Sequence, residues 1–216
     1  YAFFCTYAAA AGWSARQPAP ADGDRTLMDR WILSRSAELA ASVEASLRSY
    51  DAQGAVRRLE LGIDELSTWY LRRSRDRFSG APGADRDAAF ATLHAALLTL
   101  IRCAAPVAPF LSDAIYRALA GDPRDDGPAT RLAESLDEAI RRGHAPSSVH
   151  LLPWPTAETA EWRDERLEAE MSAVVRAAEL GRSVRAAASI RTRQPLARAR
   201  VVFGRAPVSY THLTLP

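Results

Sequence analysis

Two apolar stripes lying end to end constrain this chain most. Met28, Ile32, Leu39, Val43 and Leu47 recur at multiples of three or four, and Ala55, Leu59, Ile63, Leu66 and Tyr70 follow at spacings of 4, 4, 3 and 4. Apolar residues at that spacing share one face of an α-helix. The first stripe predicts a helix over Thr26–Ser49, capped by Asp24 or Thr26, with Asp29 in its positive first turn. Tyr50-Asp51 breaks it, and Asp51 is a suitable cap for the second helix. Two such stripes joined by so short a turn must lie side by side, antiparallel, as an αα-hairpin.

The rest of the chain extends the same pattern. Gly80-Ala-Pro-Gly83 ends the hairpin, and Asp85 or Asp87 starts a third helix carrying Leu93, Leu97, Leu100 and Ile101. Pro106 and Pro109 predict a kink or a new helix start. Phe110, Leu111, Ile115 and Leu119 mark a fourth amphipathic stretch. Residues 121–148, rich in Pro, Gly and Asp around a modest helix near Thr130–Arg142, read as a surface insert. Val149–Leu152 reads as extended, and Pro153 and Pro155 pin Trp154 between them. A long helix is expected over Glu161–Ala188, with Glu168 and Glu170 as surface acids. Ala199–Phe203 is β-branched enough to start a strand. The fold class is therefore all-α: an antiparallel helix bundle with a short extended crossing and a truncated C-terminal β start.

Composition narrows the function classes. Nearly half of the 216 residues are apolar and a quarter charged, as in a folded globular chain. The formal net charge is only +2, so a surface for an anionic partner requires local clustering. Lysine and asparagine are absent and Ala and Pro abundant, which points to a GC-rich genome, so the choice of Arg over Lys carries little meaning here. Cys5 and Cys103 have no zinc spacing and make no disulfide framework, and the four histidines are scattered. No apolar run is expected to span a bilayer and no signal peptide is visible, so a reducing, cytosolic setting is the default. The chain begins at Tyr1 rather than Met and reads as a fragment. Residues 207–216 lack Arg, Ala and acids and read as a non-native tail.

The clustering lies in Ser67–Phe78, where Trp69-Tyr70 precede Arg72, Arg73, Arg75 and Arg77. Arginines beside aromatics at the end of a rigid helix suit a nucleic-acid backbone. A solvated helix end with ion pairs accounts for the same residues. At about 100° per residue, Arg72 and Arg75 fall opposite the stripe, while Arg73 and Arg77 fall near it. An arginine on a core-facing line needs a carboxylate or a place beyond the core's end. Arg72 and Asp76 form an i,i+4 pair. Trp69 fits a core indole or a base-stacking platform. Arg191, Arg193 and Gln194 form a second basic turn, following Arg176, Arg182 and Arg185 near a helix C-terminus. No catalytic constellation or glycine-rich phosphate loop is present.

Trp69-Tyr70-Leu71-Arg72-Arg73-Ser74-Arg75-Asp76-Arg77-Phe78 resembles the signature of the anticodon-binding helical domain of isoleucyl-tRNA synthetases, which belong to class I. Further motifs agree in order: Tyr1–Tyr7, Leu27–Arg35, Ala105–Tyr116, Ser148-Val-His-Leu151 with Trp154-Pro155, Glu179–Arg182 and Ile190–Leu196. The valine-type relative shares the bundle, and a helical protein-interaction module is the reading from another class. The resemblance implies residues 1–23 as the end of the catalytic-domain connection and a linker. It implies 24–190 as the bundle and 191–206 as the start of a truncated C-terminal region. It implies a parent enzyme that activates isoleucine with ATP and transfers it to tRNA(Ile), using magnesium, with zinc left open. The class I catalytic signatures and the editing domain are absent from the chain, so this part holds tRNA and lacks the catalytic site. Its expected RNA contacts are Trp69, Arg72, Arg73, Arg75, Arg77, Arg191, Arg193 and Gln194. The implied partners are tRNA(Ile) and the catalytic domain of the same chain, in a cytoplasmic monomer away from membranes.

Overall fold

The computed structural model describes residues 1–15, 20–120 and 148–202, apart from 192 and 197. The chain divides into two compact units, Tyr1–Glu168 and Ala169–Pro216. The expected insert helix near 130–142 and the tail at 207–216 lie outside the described residues.

Helix α1 spans Ala2–Ala11 and stops at Gly12, whose φ of 65° is the left-handed conformation glycine adopts without strain. Helix α2 spans Leu27–Arg48 and opens on a capping box. Thr26 Oγ1 accepts from the Asp29 N–H, and Asp29 Oδ2 accepts from the Thr26 N–H. The break expected at Tyr50-Asp51 is present: Tyr50 turns left-handed at φ 58° and Asp51 caps helix α3, Ala52–Asp64. A π-helical turn, Glu65–Leu71, continues into α4, Arg72–Phe78. Helix α5 spans Ala84–Ala104, and α6, Pro109–Ala120, starts anew with proline in its first turn, so the two prolines restart the helix rather than kink it. The 3-10 turns at Asp22–Asp24, Val149–Leu151 and Ala160–Trp162, the single-turn α7 at Thr156–Thr159 and α8 at Glu165–Ala187 complete the described elements.

Helix α2 is the central element of the first unit, packed against α3 and α5. Leu39, Ala40, Val43, Ala55, Leu59 and Cys103 form one buried cluster, with Trp154 packed against it. The pinning of Trp154 holds: its indole N–H donates to the Ala40 carbonyl at 3.1 Å. Burial pushes the Cys103 thiol up to about 12, which keeps it a small apolar filler. Helix α1 docks through aromatic rings. Phe4 meets Phe90 and His94, and Trp13 stacks on Phe90 at 5.7 Å.

Several expectations change. Ile63 is exposed because the inward line of α3 passes through Gly62, where a Cβ would stand 2.9 Å from Leu39 Cδ2. Helix α6 buries Ser112, Tyr116 and Leu119 and leaves Phe110 90% exposed, with Leu111 also outside. Polar anchoring sets this azimuth, since Asp113 accepts from the Ser148 hydroxyl and the Val149 N–H. The same anchor winds Val149–Leu151 into a 3-10 turn instead of an extended run, and only Leu152, before Pro153, is extended. Glu168 is buried rather than a surface acid, held by Ser34, Arg35 and Arg163. Among the described residues, 198–202 pair with no strand, and an unpaired segment has no ladder to join. Against the membrane expectation, Ala84–Ala104 is long and apolar enough to span one. Its position as a mostly buried core helix accounts for that composition.

Two measurements check this fold. Tyr50 is 96% exposed and left-handed, so Tyr50→Gly should raise stability by about 1 kcal/mol in denaturant melts. Burial holds His94 below its ordinary pKa of 6.5, with a backbone hydrogen bond at Leu119 opposing it. The unfolded chain therefore takes up the proton first, and this stabilisation is lost as pH falls through and below about 6.5. Thermal melts should show a smaller loss between pH 7.5 and pH 5.5 for His94→Gln than for the parent chain.

Candidate nucleic-acid interface

The arginine stretch occupies α4 and follows directly from the π turn. Leu66, Tyr70, Ser74 and Phe78 are buried, one every four residues. The wider i→i+5 turn takes up more residues per revolution, so positions four apart stay on the inward face. Regular α-helical angles place Arg73 near the core line, and the π turn moves it to the surface. Arg72, Arg73 and Arg75 are all exposed.

Arg77 points inward and meets carboxylates. Its side chain is 17% exposed, and its two terminal nitrogens donate to Asp29 Oδ1 at 2.8 Å and Oδ2 at 2.9 Å. Its Nε donates to Asp85 at 2.9 Å, and one terminal nitrogen donates to the Asp85 carbonyl at 3.0 Å. Asp29 is fully buried and also accepts from the Tyr70 hydroxyl at 2.7 Å. Burial works to raise the Asp29 carboxyl, but hydrogen bonds from Arg77, Tyr70 and Thr26 outweigh it and hold the group below the usual range. Burial likewise works to lower Arg77, and its two aspartates outweigh that and raise it. The pair is fully ionised at neutral pH. Arg77 is thus a structural tie across α2, α4 and α5, not a surface contact.

Aromatic rings lie against Arg73 and Arg75. Trp69 is buried, and the Arg73 guanidinium lies 4.1 Å from its ring centre. The indole is a core residue covered on one side by an arginine, so it offers no free platform for a base. Arg75 lies 6.0 Å from the Phe3 ring, which stacks on Tyr7 at 4.3 Å. Sequence reasoning missed Phe3 and Tyr7 as neighbours of this helix, because nothing in their spacing relates them to a segment 70 residues away. Among the described residues the expected Arg72–Asp76 pair does not form, in keeping with the small stabilisation that such an exposed pair provides.

Arg191, Arg193 and Gln194 are exposed in the second unit. They share one turn, closed by the Gln194 N–H donating to the Arg191 carbonyl at 3.0 Å. The predicted contact residues therefore fall into two sets, one on each unit. Asp29 and Asp85, which decide how α4 is presented, were absent from the expected site. Their signal was indirect: an arginine on a core-facing line demands a carboxylate.

The buried pair supports a test. Removing one partner of a buried ion pair costs about 3–5 kcal/mol because the other charge is left unpaired. Asp29→Asn and Arg77→Gln should each lower stability by roughly that amount in urea melts, whereas Arg72→Ala should change it by less than about 0.5 kcal/mol.

Comparison with known proteins agrees with this geometry. The family described as the anticodon-binding domain of tRNA ligase matches residues 29–202. An isoleucine--tRNA ligase of Deinococcus radiodurans is 45% identical over 201 residues, covering 91% of this chain and 16% of the relative. One from Thermobifida fusca is 43% identical over 203 residues, covering 92% and 17%. One from Thermus thermophilus is 37% identical over 198 residues, covering 91% and 17%. The chain spans about a sixth of the length of these curated relatives. With a family match over most of its length, on a bundle that presents arginines from a rigid helix, the chain belongs to the anticodon-binding domain family of tRNA ligases.

Proposed function

We propose that this chain is the tRNA-holding part of an isoleucine--tRNA ligase. Such an enzyme activates isoleucine with ATP and transfers it to tRNA(Ile). The chemistry with ATP is assigned to other parts of the ligase. The observation that carries the reading is the division of labour on α4. Arg77 is tied to Asp29 and Asp85, while Arg72, Arg73 and Arg75 stand exposed on the same short helix.

A fixed helix presenting three guanidinium groups suits a phosphate backbone, where such contacts set register and orientation without reading sequence. The expected target is the anticodon stem of tRNA(Ile), and the setting is cytoplasmic, with the ligase acting as a monomer. The names of the relatives support isoleucine over the valine-type enzyme. The basic turn at Arg191–Gln194 supplies a second set of contacts.

Filter binding of a tRNA(Ile) transcript at several salt concentrations tests the proposal. Binding should weaken steeply with salt. Arg72→Ala and Arg75→Ala should each lower the slope of log K against log[salt] by roughly 0.7–0.9 with helicity unchanged. Binding independent of salt, or none at all, would favour a protein-interaction module. Tighter binding of tRNA(Val) would favour the valine-type relative.

A further inference from the structure

The basic turn of the second unit follows the end of α8, and the way that end is built gives one arginine a separate task. The helix stops in a left-handed Ser189, φ 55°. The Ser189 N–H donates to the Ala186 carbonyl, and the Ile190 N–H donates to the Arg185 carbonyl at 2.9 Å. This pair of bonds is the Schellman closure of a helix, made here without glycine. It reverses the chain so that Arg191 and Gln194 come back beside the last turn. There the Arg185 side chain meets the turn's own backbone. One terminal nitrogen of Arg185 donates to the Arg191 carbonyl at 2.7 Å and also to the Gln194 carbonyl. The Arg191 carbonyl already accepts from the Gln194 N–H, so the cation joins both ends of the turn at one point.

We propose that Arg185 is a positioning residue for RNA binding: it braces the turn so that Arg191, Arg193 and Gln194 are presented to the tRNA backbone as one preformed set. This rests on the reading of that turn as an RNA contact. A short basic turn with an unbraced backbone has to be ordered when RNA binds, and the entropy of ordering it is subtracted from affinity. A charged donor on two carbonyls is among the stronger hydrogen-bond arrangements available on a surface. In the helix register Arg185 resembles any other cation favouring a helix C-terminus. Its two carbonyl partners separate it from Arg176 and Arg182.

The test uses the whole chain and a tRNA(Ile) transcript, in a double-mutant cycle. Arg185→Ala keeps a strong helix former at that position, and circular dichroism checks that helicity is retained. Arg185→Ala should weaken binding by roughly tenfold, within the range by which residues of one network couple. Added to Arg191→Ala with Arg193→Ala, it should weaken binding no further. Trypsin cleavage after Arg191 and Arg193 reads the brace without RNA, and it should be faster in Arg185→Ala. Additive losses would overturn the proposal by showing that Arg185 touches RNA itself. Unchanged cleavage would overturn it by showing that the turn needs no brace. Faster cleavage in Arg185→Ala, together with full affinity in the separate Arg191→Ala, Arg193→Ala variant, would instead remove the turn from the RNA contacts, and the positioning role with it.

Discussion

One buried carboxylate, Asp29, governs how the first unit is put together. It closes the capping box of α2, accepts the Tyr70 hydroxyl, and receives both terminal nitrogens of Arg77. A lone carboxylate at that depth would be expensive to desolvate. Here its lone pairs are satisfied from three directions, so the cost is offset only while every partner stays in place. That dependence is what makes the site specific. The beginning of α2, the π turn and the end of α4 can meet in one way, and Asp85 adds the beginning of α5 through the same guanidinium.

A second charged knot lies beside it. Arg35 on α2 donates to Glu65, the first residue of the π turn, and to Glu168 on the first turn of α8. Glu168 also takes the Ser34 hydroxyl and Arg163. Burial raises the Glu65 carboxyl above its ordinary value, with Arg35 opposing it. The two knots bracket the π turn, one at each end. Arg102 repeats the device elsewhere, buried and bonded to the Pro153 carbonyl and to Glu158. Among the described residues, Arg35, Arg77 and Arg102 thus serve as structural cross-links.

The bundle was legible because its signals are local. Thr26, Asp51 and Gly12 end or begin helices through bonds within a few residues, and the stripes through Val43, Leu59, Leu93 and Ile101 point inward as their spacing says. What was not legible depended on partners far along the chain. Phe110 lies outside because Asp113 is anchored by Ser148, 35 residues on. Glu168 is buried because Ser34 and Arg35 wait for it across more than 130 residues. At the interface, the demand of Arg77 for a carboxylate followed from its helical angle, whereas Arg73 was misplaced because a regular helix was assumed through Glu65–Leu71. The identity of Asp29 as the partner could not follow from spacing alone.

The π turn has one more consequence. A wide turn of this kind amounts to one residue more than a regular helix would use to reach the same point. Each residue advances a helix by about 100°, so a single insertion or deletion here would swing all of α4, carrying Ser74, Arg77 and Phe78 off the inward face together with its exposed arginines, while leaving α3 in its own register. The bundle's packing and the direction of its cationic face are thus set together by the length of this one turn. A related chain with one residue more or fewer at this point would have to rebuild the inward face of α4 before it could offer a differently oriented basic face.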